Sequence, residues 1–128
     1  MKEGGYEVID KGDAQYVEDD DYPDFAKEVA KEVDADPEAR RGILICGSGV
    51  GVDIVANKFP RVRSALVSSN DQAFAARHDD DANILSLAAD FTTEENAQKL
   101  VKVFLATPFS GEEKHKRRIQ KISELAGT

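Results

Sequence analysis

A continuous apolar run that turns at once into a glycine-rich loop constrains this fold more than any other part of the sequence. The run is Gly-Ile-Leu-Ile-Cys, residues 42–46, and glycines follow at alternate positions, Gly47, Gly49 and Gly51. A short run without polar alternation is typical of a strand that is covered on both faces of a sheet. The next segment, from about Val52 to Lys58, has the pattern of a helix. The stretch therefore predicts a buried strand, a tight loop and a helix.

Strand-like and helix-like segments alternate along the rest of the 128 residues. Strands separated by helices form βαβ units, and these imply a parallel sheet with right-handed crossovers. We predict one α/β domain over residues 1–128, without an internal repeat or a linker. Further predicted strands cover 6–10, 64–68 and 83–88, and further predicted helices cover 22–33, 71–78 and 92–107, with a last helix around Ile119, Ile122 and Leu125. Capping-box spacing occurs at Thr92 with Glu95 and at Ser110 with Glu113.

Composition and charge exclude several classes of function. Hydrophobic residues make up 41% of the chain and charged residues 33%, as in globular proteins. No apolar run approaches the roughly 20 residues that span a bilayer, and the first residues lack the apolar core of a secretory signal. The net charge of −8 opposes binding to nucleic acid. A single cysteine, Cys46, cannot form an internal disulfide, which fits a reducing compartment. We therefore expect a cytoplasmic protein with no membrane or nucleic-acid partner.

The glycine loop has a chemical interpretation and a purely structural one. Its glycines let the backbone approach an anion, at the edge of a parallel sheet where ligands bind. The spacing matches neither the dinucleotide fingerprint nor the phosphate-binding P-loop, so an anion site and a simple tight turn are equally compatible with it. Cys46 is either a small buried filler or a thiol whose thiolate is stabilised by the helix that follows. Ser48 either donates a hydrogen bond to a substrate or caps that helix.

Two charged segments offer similar alternatives. Lys114 and Arg118 are spaced i, i+4 with His115 nearby, so they form either a phosphate clamp or a solvated helix face. Three consecutive aspartates, residues 79–81, converge poorly on one cation, and a solvated loop that ends a helix is the favoured interpretation. No metal site is predicted.

Several of these segments, in this order and spacing, resemble the type B ribose-5-phosphate isomerases and the related galactose-6-phosphate isomerases. The matching segments are residues 21–26, 42–58, 79–85 and 107–122, and the resemblance covers nearly the whole chain. It implies a three-layer α/β/α Rossmann-like fold with a parallel sheet. It also implies reversible aldose–ketose isomerisation of a phosphorylated sugar through an enediol, without a metal or an organic cofactor. The implied assembly is a homodimer or a tetramer with active sites made from both subunits.

The resemblance implies roles for single residues as well. Cys46 would be the base that moves a proton between C1 and C2 of the sugar. The loop amides would stabilise the enediolate oxygen, and Ser48 would lie near the ring oxygen. The full set of expected site residues is Cys46, Ser48 and Asp79 for catalysis, Gly47, Gly49, Val50, Gly51, Tyr22, Asp80 and His78 for substrate contact, and Lys114, His115 and Arg118 for the phosphate.

The chain departs from the family pattern at its beginning. The family opens with a strand followed by an Asp-His pair, and this sequence shows neither. Gly4 and Gly5 have the pattern of a helix stop with almost no helix before it. We expect a fold without the first strand of the family, and a natural protein that begins roughly 15–20 residues upstream, the length of one strand and most of a helix. The intact mass of the native polypeptide tests this expectation.

Two further departures lie in the expected site. Asp79 occupies the position at which the family has the histidine that helps to open the sugar ring. Asp79 transfers a proton only if its pKa is raised. Otherwise His78 replaces the missing group, or the chain prefers a different sugar. Lys114 stands in place of an arginine, which keeps the charge but loses bidentate geometry.

The sequence therefore predicts a sugar-phosphate isomerase that acts on ribose 5-phosphate or a related phosphosugar. The alternative is a catalytically impaired sugar-phosphate-binding or structural subunit of the same fold. A small nucleotide-binding module is disfavoured by the spacing of the glycines.

Overall fold

A computed structural model describes residues 6–10 and 21–127, and the second range consists of alternating helices and strands. The expected helix stop at Gly4 and Gly5 lies outside the described residues. The strands are β1 (Gly42–Cys46), β2 (Ser64–Leu66) and β3 (Ile84–Ala88), and the helices are α1 (Tyr22–Ala35), α2 (Val50–Ala56), α3 (Asn70–Asp80), α4 (Glu94–Ala106) and α5 (Glu113–Leu125). β3 lies between β1 and β2 and is parallel to both. The predicted α/β fold with a parallel sheet is confirmed.

Helices cover both faces of this sheet. β3 is buried along its whole length, so its side chains must find apolar partners on both sides. On one face Leu85 and Leu87 pack with Phe104 of α4 and with residues of α3. On the other face Ile84 packs with small and apolar residues of α1 and α2, such as Ala30. The result is the expected three-layer arrangement.

Beside β1, on the side away from β3, α1 and α4 border an open groove. Residues 6–10 also line it, together with Val29 of α1 and Val101 of α4. β1 is an edge strand of the described sheet, and its residue Ile45 is 58% exposed.

Several element boundaries differ from the predictions. Residues 6–10 are exposed and irregular, because they pair with no strand of the described chain and an isolated segment cannot form a ladder. β2 ends at Leu66, and α2 begins at Val50. The cap of α4 is Thr93 rather than Thr92, since its side chain accepts a hydrogen bond from the Asn96 amide at 3.2 Å.

Candidate active site

Cys46 is the last residue of β1 and lies at the carboxyl edge of the sheet. It pairs with Ala88 of β3, and its carbonyl accepts a hydrogen bond from the Ala89 amide at 2.9 Å. The thiol is free and half-buried, and it packs beside the core that α1 and α2 form with the sheet. The strand pairing therefore holds the backbone of Cys46 in a fixed position at the edge where ligands bind such sheets.

Glycine is required at the centre of the loop that follows. Gly49 has a φ of 75°, in the left-handed region that other residues rarely adopt. A Cβ at this position would lie 2.5 Å from Cδ1 of Leu66 and 3.0 Å from the backbone of Leu87. The loop thus closes tightly over the ends of β2 and β3, as the expected anion site and a structural turn would both demand.

The rest of the loop is in contact with two other parts of the chain. A Cβ on Gly47 would lie 2.8 Å from Oδ2 of Asp90, and one on Gly51 would lie 2.5 Å from Cζ of Tyr22. The structure therefore brings Tyr22, an expected substrate contact, to the glycine loop. Asp90, which belongs to no motif of the sequence, also lies beside the loop, next to Gly47.

Ser48 and Val50 stand at the exposed start of α2. The Val50 amide donates a hydrogen bond to Oγ of Ser48 at 3.2 Å, so this hydroxyl turns toward the beginning of the helix. The cap of α2 is nevertheless Gly49, without a side-chain cap hydrogen bond, so the contact of Ser48 belongs to the turn before the helix. The hydroxyl hydrogen itself stays available to a bound molecule, because Oγ acts as an acceptor in this contact.

A second group of expected site residues assembles where α3 ends and α5 begins. His78 and Asp79 belong to the last turn of α3, and His115 to the first turn of α5. Nδ1 of His78 lies 2.7 Å from Oδ1 of Asp79, and Nε2 of His115 lies 3.7 Å from the same oxygen. The ring of His78 also stacks on Phe74 at a centroid distance of 4.9 Å.

Asp79 is not suited to donate a proton. The hydrogen bond from His78 is the main cause that lowers the pKa of its carboxyl group, and the positive potential of His115 adds to it. The pKa of Asp79 is therefore shifted away from the raised value on which proton donation by this residue depends. An ionised carboxylate only accepts hydrogen bonds, so the proton in this contact belongs to Nδ1 of His78. Nε2 of His78 is then the nitrogen that faces other partners.

Two residues that are not among the expected site residues hold this group in place. Oγ of Ser110 lies 2.6 Å from Nδ1 of His115, and the Ser110 amide donates to the carbonyl of His78 at 3.0 Å. Arg77 is 3% exposed and donates to Asp81 at 2.7 Å and to the carbonyl of Thr107 at 3.1 Å. The i, i+4 spacing of Arg77 and Asp81 was a usable signal for this ion pair.

The remaining expected residues are exposed. Lys114 lies 4.0 Å from a carboxylate oxygen of Glu112, while Arg118 makes no ion pair with any described residue. The side chain of Asp80 is at the surface, and its carbonyl accepts a hydrogen bond from Arg63 at 3.2 Å. Lys114 and Arg118 therefore leave cationic groups at the surface, close in sequence to the buried His115.

The two groups of residues lie at opposite edges of the sheet. Cys46 is at the carboxyl edge beside Ala88, whereas α3 ends shortly before Ile84, where β3 begins. The distance along β3 from Ile84 to Ala88 is about 13 Å at the usual rise of a strand. Within one chain, the glycine loop and the basic residues of α5 are therefore not parts of one compact pocket.

Comparison with known proteins agrees with this arrangement of elements. The model of the family described as Ribose/Galactose Isomerase matches residues 1–122. The chain belongs to this family. It is 44% identical to the probable ribose-5-phosphate isomerase B of Mycoplasma genitalium, over 95% of this chain and 80% of the relative. It is 38% identical to ribose-5-phosphate isomerase B of Escherichia coli, over 98% of this chain and 82% of the relative.

Solved structures of the ribose/galactose isomerase family share the fold closely. The crystal structure of ribose-5-phosphate isomerase B from Mycoplasma genitalium with bound ribulose-5-phosphate has a TM-score of 0.95. It is 43% identical, and the match covers 98% of this chain and 82% of that chain. The enzyme from Clostridium thermocellum has a TM-score of 0.91 at 40% identity, and the match covers 98% of this chain and 83% of that chain. This chain is accordingly a sugar-phosphate isomerase, an enzyme that interconverts aldose and ketose phosphates. Within the described residues, no helix is both long and apolar enough to cross a membrane.

Proposed function

We propose that this isomerase interconverts ribose 5-phosphate and ribulose 5-phosphate, with Cys46 as the base. One observation carries the proposal: a free, half-buried thiol ends β1 and leads directly into a loop that closes around Gly49. The similar enzyme from Mycoplasma genitalium was crystallised with ribulose-5-phosphate, which supports this choice of sugar. A thiol base must stay reduced, which fits the cytoplasmic location that we expect.

The chemistry is a proton transfer between neighbouring carbons of the open-chain sugar. The Cys46 thiolate removes the proton from C2 of the aldose, and the electrons of that bond form the enediolate, whose charge rests on O1. Backbone N–H groups of residues 47–51 stabilise this oxygen. O1 is then protonated, the thiol returns a proton to C1, and loss of the proton on O2 completes the ketose.

The phosphate contacts of this site come from a second copy of the chain. Lys114, His115 and Arg118 lie at the opposite edge of the sheet from Cys46, too far away for one small sugar phosphate to bridge. The exposed cationic groups of Lys114 and Arg118 are available to a partner, and Arg118 has no ion pair among the described residues. In a symmetric dimer each copy supplies both halves, so two equivalent sites form.

An apolar surface next to the loop supports this dimer. Val50 and Ile54 of α2 and Leu66 of β2 are 47%, 55% and 36% exposed, and we call them the α2 patch. Val50 and Ile54 are spaced i, i+4 on one helix face. Gly49, the neighbour of Val50, approaches Leu66 directly. A second copy that covers the α2 patch removes apolar surface from water and brings its own basic residues toward the loop.

In this proposal His78 acts as the general acid or base that opens the sugar ring. Asp79 stays ionised and holds Nδ1 of His78, so Nε2 faces the sugar. Replacing a general acid or base lowers turnover by roughly 10²–10⁴-fold, so His78→Ala is expected to reduce kcat within that range. Asp79→Asn keeps the imidazole and is expected to reduce kcat less. Equal losses in the two variants would place the acid at Asp79 after all.

A second candidate function is a phosphosugar-binding subunit without turnover. The lowered pKa of Asp79, at the position where the family has a histidine, favours this alternative. Both candidates predict binding of ribose 5-phosphate through Lys114 and Arg118. Only the isomerase removes the proton from C2 of the bound sugar, whereas the binding subunit leaves the sugar unchanged.

Isomerisation of ribose 5-phosphate and of a panel of hexose 6-phosphates separates the candidates. We expect the parent protein to turn over ribose 5-phosphate, and Cys46→Ala to bind it with similar affinity but to lose turnover by at least 10²-fold. Cys46→Ser is the matched control for the shape of the side chain. Turnover that is unchanged in Cys46→Ala would remove the mechanism, and binding without turnover in the parent would establish the second function.

A further inference from the structure

Three side chains with metal-binding atoms meet where α3 ends and α5 begins. His78, Glu112 and His115 each bring one donor atom to a position within 4.8 Å of the others. They come from two helices that the Ser110 amide ties together through the carbonyl of His78. The sequence pattern suggests only the three aspartates that follow His78 as metal ligands, because Glu112 and His115 are more than 30 residues away from His78 in sequence.

Both imidazoles are held by a hydrogen bond at Nδ1. His78 is bound there by Asp79 at 2.7 Å, and His115 by Oγ of Ser110 at 2.6 Å. Histidines that bind a metal almost always use one ring nitrogen for the metal and the other for an oxygen partner, frequently a carboxylate. Asp79 and Ser110 are in the positions of such partners, and Nδ1 of His115 also lies 3.6 Å from Oε2 of Glu112. If Asp79 and Ser110 keep their hydrogen bonds, the cation binds the Nε2 atoms of the two imidazoles.

Little movement is needed to close the group around an ion. Tetrahedral zinc binds nitrogen and oxygen at about 2.0–2.2 Å, which places its ligand atoms roughly 3.3 Å apart. His115 is 7% exposed and fixed, whereas half of the Glu112 side chain is exposed, so its carboxylate can move inward. The carboxylates of Glu112 and Asp79 also offset the charge of Lys114, whose ammonium lies 4.0 Å from Glu112.

We propose that His78, Glu112 and His115 form a binding site for a divalent cation of the Zn²⁺ class. Imidazole nitrogens suit Zn²⁺, Ni²⁺ and Cu²⁺, while Mg²⁺ and Ca²⁺ prefer sites made of oxygen alone. Three protein ligands and one water complete a tetrahedral shell for Zn²⁺. The site goes beyond the proposed isomerase reaction, whose steps use no cation.

Occupation of this site has a consequence for the isomerase, and this consequence rests on the proposed function. A cation on the two imidazoles withdraws His78 from the sugar ring and His115 from the phosphate. Zn²⁺ is therefore expected to inhibit turnover in competition with ribose 5-phosphate. Zn²⁺ binding without inhibition would count against the roles of His78 and His115 in substrate binding and would leave the metal site intact.

Isothermal titration calorimetry of the chelator-treated full chain with Zn²⁺ tests the site itself. Titration with Co²⁺, measured by visible absorption, is a second readout. We expect one Zn²⁺ per chain in the parent. Glu112→Gln is expected to weaken binding by at least 10-fold, and Ser110→Ala by roughly 10–100-fold through the loss of an outer-shell partner. Glu113→Gln is the matched control, because it removes the same charge at the next residue. The side chain of Glu113 is 92% exposed.

Three further outcomes complete the test. Cys46→Ser is expected to bind Zn²⁺ as the parent does, which excludes the thiol as the ligand. Equal affinities in Glu112→Gln and Glu113→Gln would overturn the proposal, as would the absence of any binding at millimolar Zn²⁺. Far-ultraviolet circular dichroism confirms that each variant is folded, and the two glutamate variants keep the test decisive because both positions are exposed.

Discussion

Tyr22 and Gly51 are in such close contact that no side chain on Gly51 fits beside the phenol ring. A Cβ there would lie 2.5 Å from Cζ of Tyr22 and 2.7 Å from its Cε1. Tyr22 begins α1, and Gly51 belongs to the first turn of α2. The contact therefore joins α1 to the glycine loop at the place where we propose that the sugar binds.

Gly51→Ala is expected to have opposite effects in two backgrounds. In the parent, the added methyl group displaces the Tyr22 ring, and the free energy of unfolding falls by about 1 kcal/mol, the low end for an overpacked site. In a Tyr22→Ala background the space is open. There, Ala in place of a helical Gly is expected to raise the free energy of unfolding by about 0.5–1 kcal/mol.

Urea unfolding of the four proteins in this cycle measures the two effects. The coupling between the two positions should be larger than the experimental error, because the residues are in contact. Additive effects of the two substitutions would show that the Tyr22 ring does not occupy this space.

Gly49→Ala is expected to destabilise the fold more than Gly111→Ala. Both glycines have a left-handed backbone, with φ of 75° and 72°, but a Cβ on Gly111 meets nothing within 4 Å. Gly111→Ala therefore measures the conformational cost alone, about 1–2 kcal/mol. Gly49→Ala adds the overlap with Leu66 and with the backbone of Leu87, so we expect a further loss of about 1–3 kcal/mol.

Denaturant midpoints of the two variants give this difference directly, provided that the slopes agree. If Gly49→Ala were no worse than Gly111→Ala, the loop would not be closed over β2 and β3 as described.

Local patterns predict the sheet and the loop but not the contacts between distant segments. β1 is predictable because a short, uninterrupted apolar run between turn signals is typical of a buried strand. The glycines after it predict a tight loop. Residues 6–10 have the composition of a strand, yet they are irregular because no neighbouring strand pairs with them in the described chain. Composition indicates a preference for strand conformation, but it does not indicate whether a neighbouring strand is present to pair with.

The basic group shows the same limit at the level of side chains. Lys114, His115 and Arg118 were predicted together because they are close in sequence, and they do lie together on α5. The contact between His115 and Asp79 depends on how α5 packs against α3, which no local spacing encodes. The pKa of Asp79 is lowered mainly by the hydrogen bond from its neighbour His78, and the packing of α5 adds only the smaller effect of His115.

Ser110→Ala is expected to affect substrate affinity through His115. Ser110 is a positioning residue: it holds Nδ1 of His115 at 2.6 Å and so directs Nε2 toward Asp79 and the proposed phosphate site. Loss of one such hydrogen bond is expected to raise KM for ribose 5-phosphate by roughly 5-fold, equivalent to about 1 kcal/mol, with kcat nearly unchanged.

Steady-state kinetics of three proteins check this prediction. Ser110→Thr keeps the hydroxyl and is expected to restore most of the affinity. Ser68→Ala is a control, since Ser68 is exposed and its hydroxyl donates, among the described residues, only to Gln72 on α3. A fall in kcat with KM unchanged would instead give Ser110 a part in the chemical step.

Mixed dimers test whether the site is shared between two copies of the chain. Cys46→Ala lacks the proposed base, and a Lys114→Ala/Arg118→Ala double variant lacks the phosphate clamp. Each protein alone is expected to be almost inactive. If the variants are unfolded together and refolded, about half of the dimers combine one copy of each, and one of the two sites in such a dimer is intact. The refolded mixture should therefore recover roughly a quarter of the parental activity.

Mixing the folded proteins without refolding is the control for slow exchange of subunits. A mixture no more active than the average of its two components would place Cys46 and the basic residues in the same subunit's site, against the separation of about 13 Å along β3.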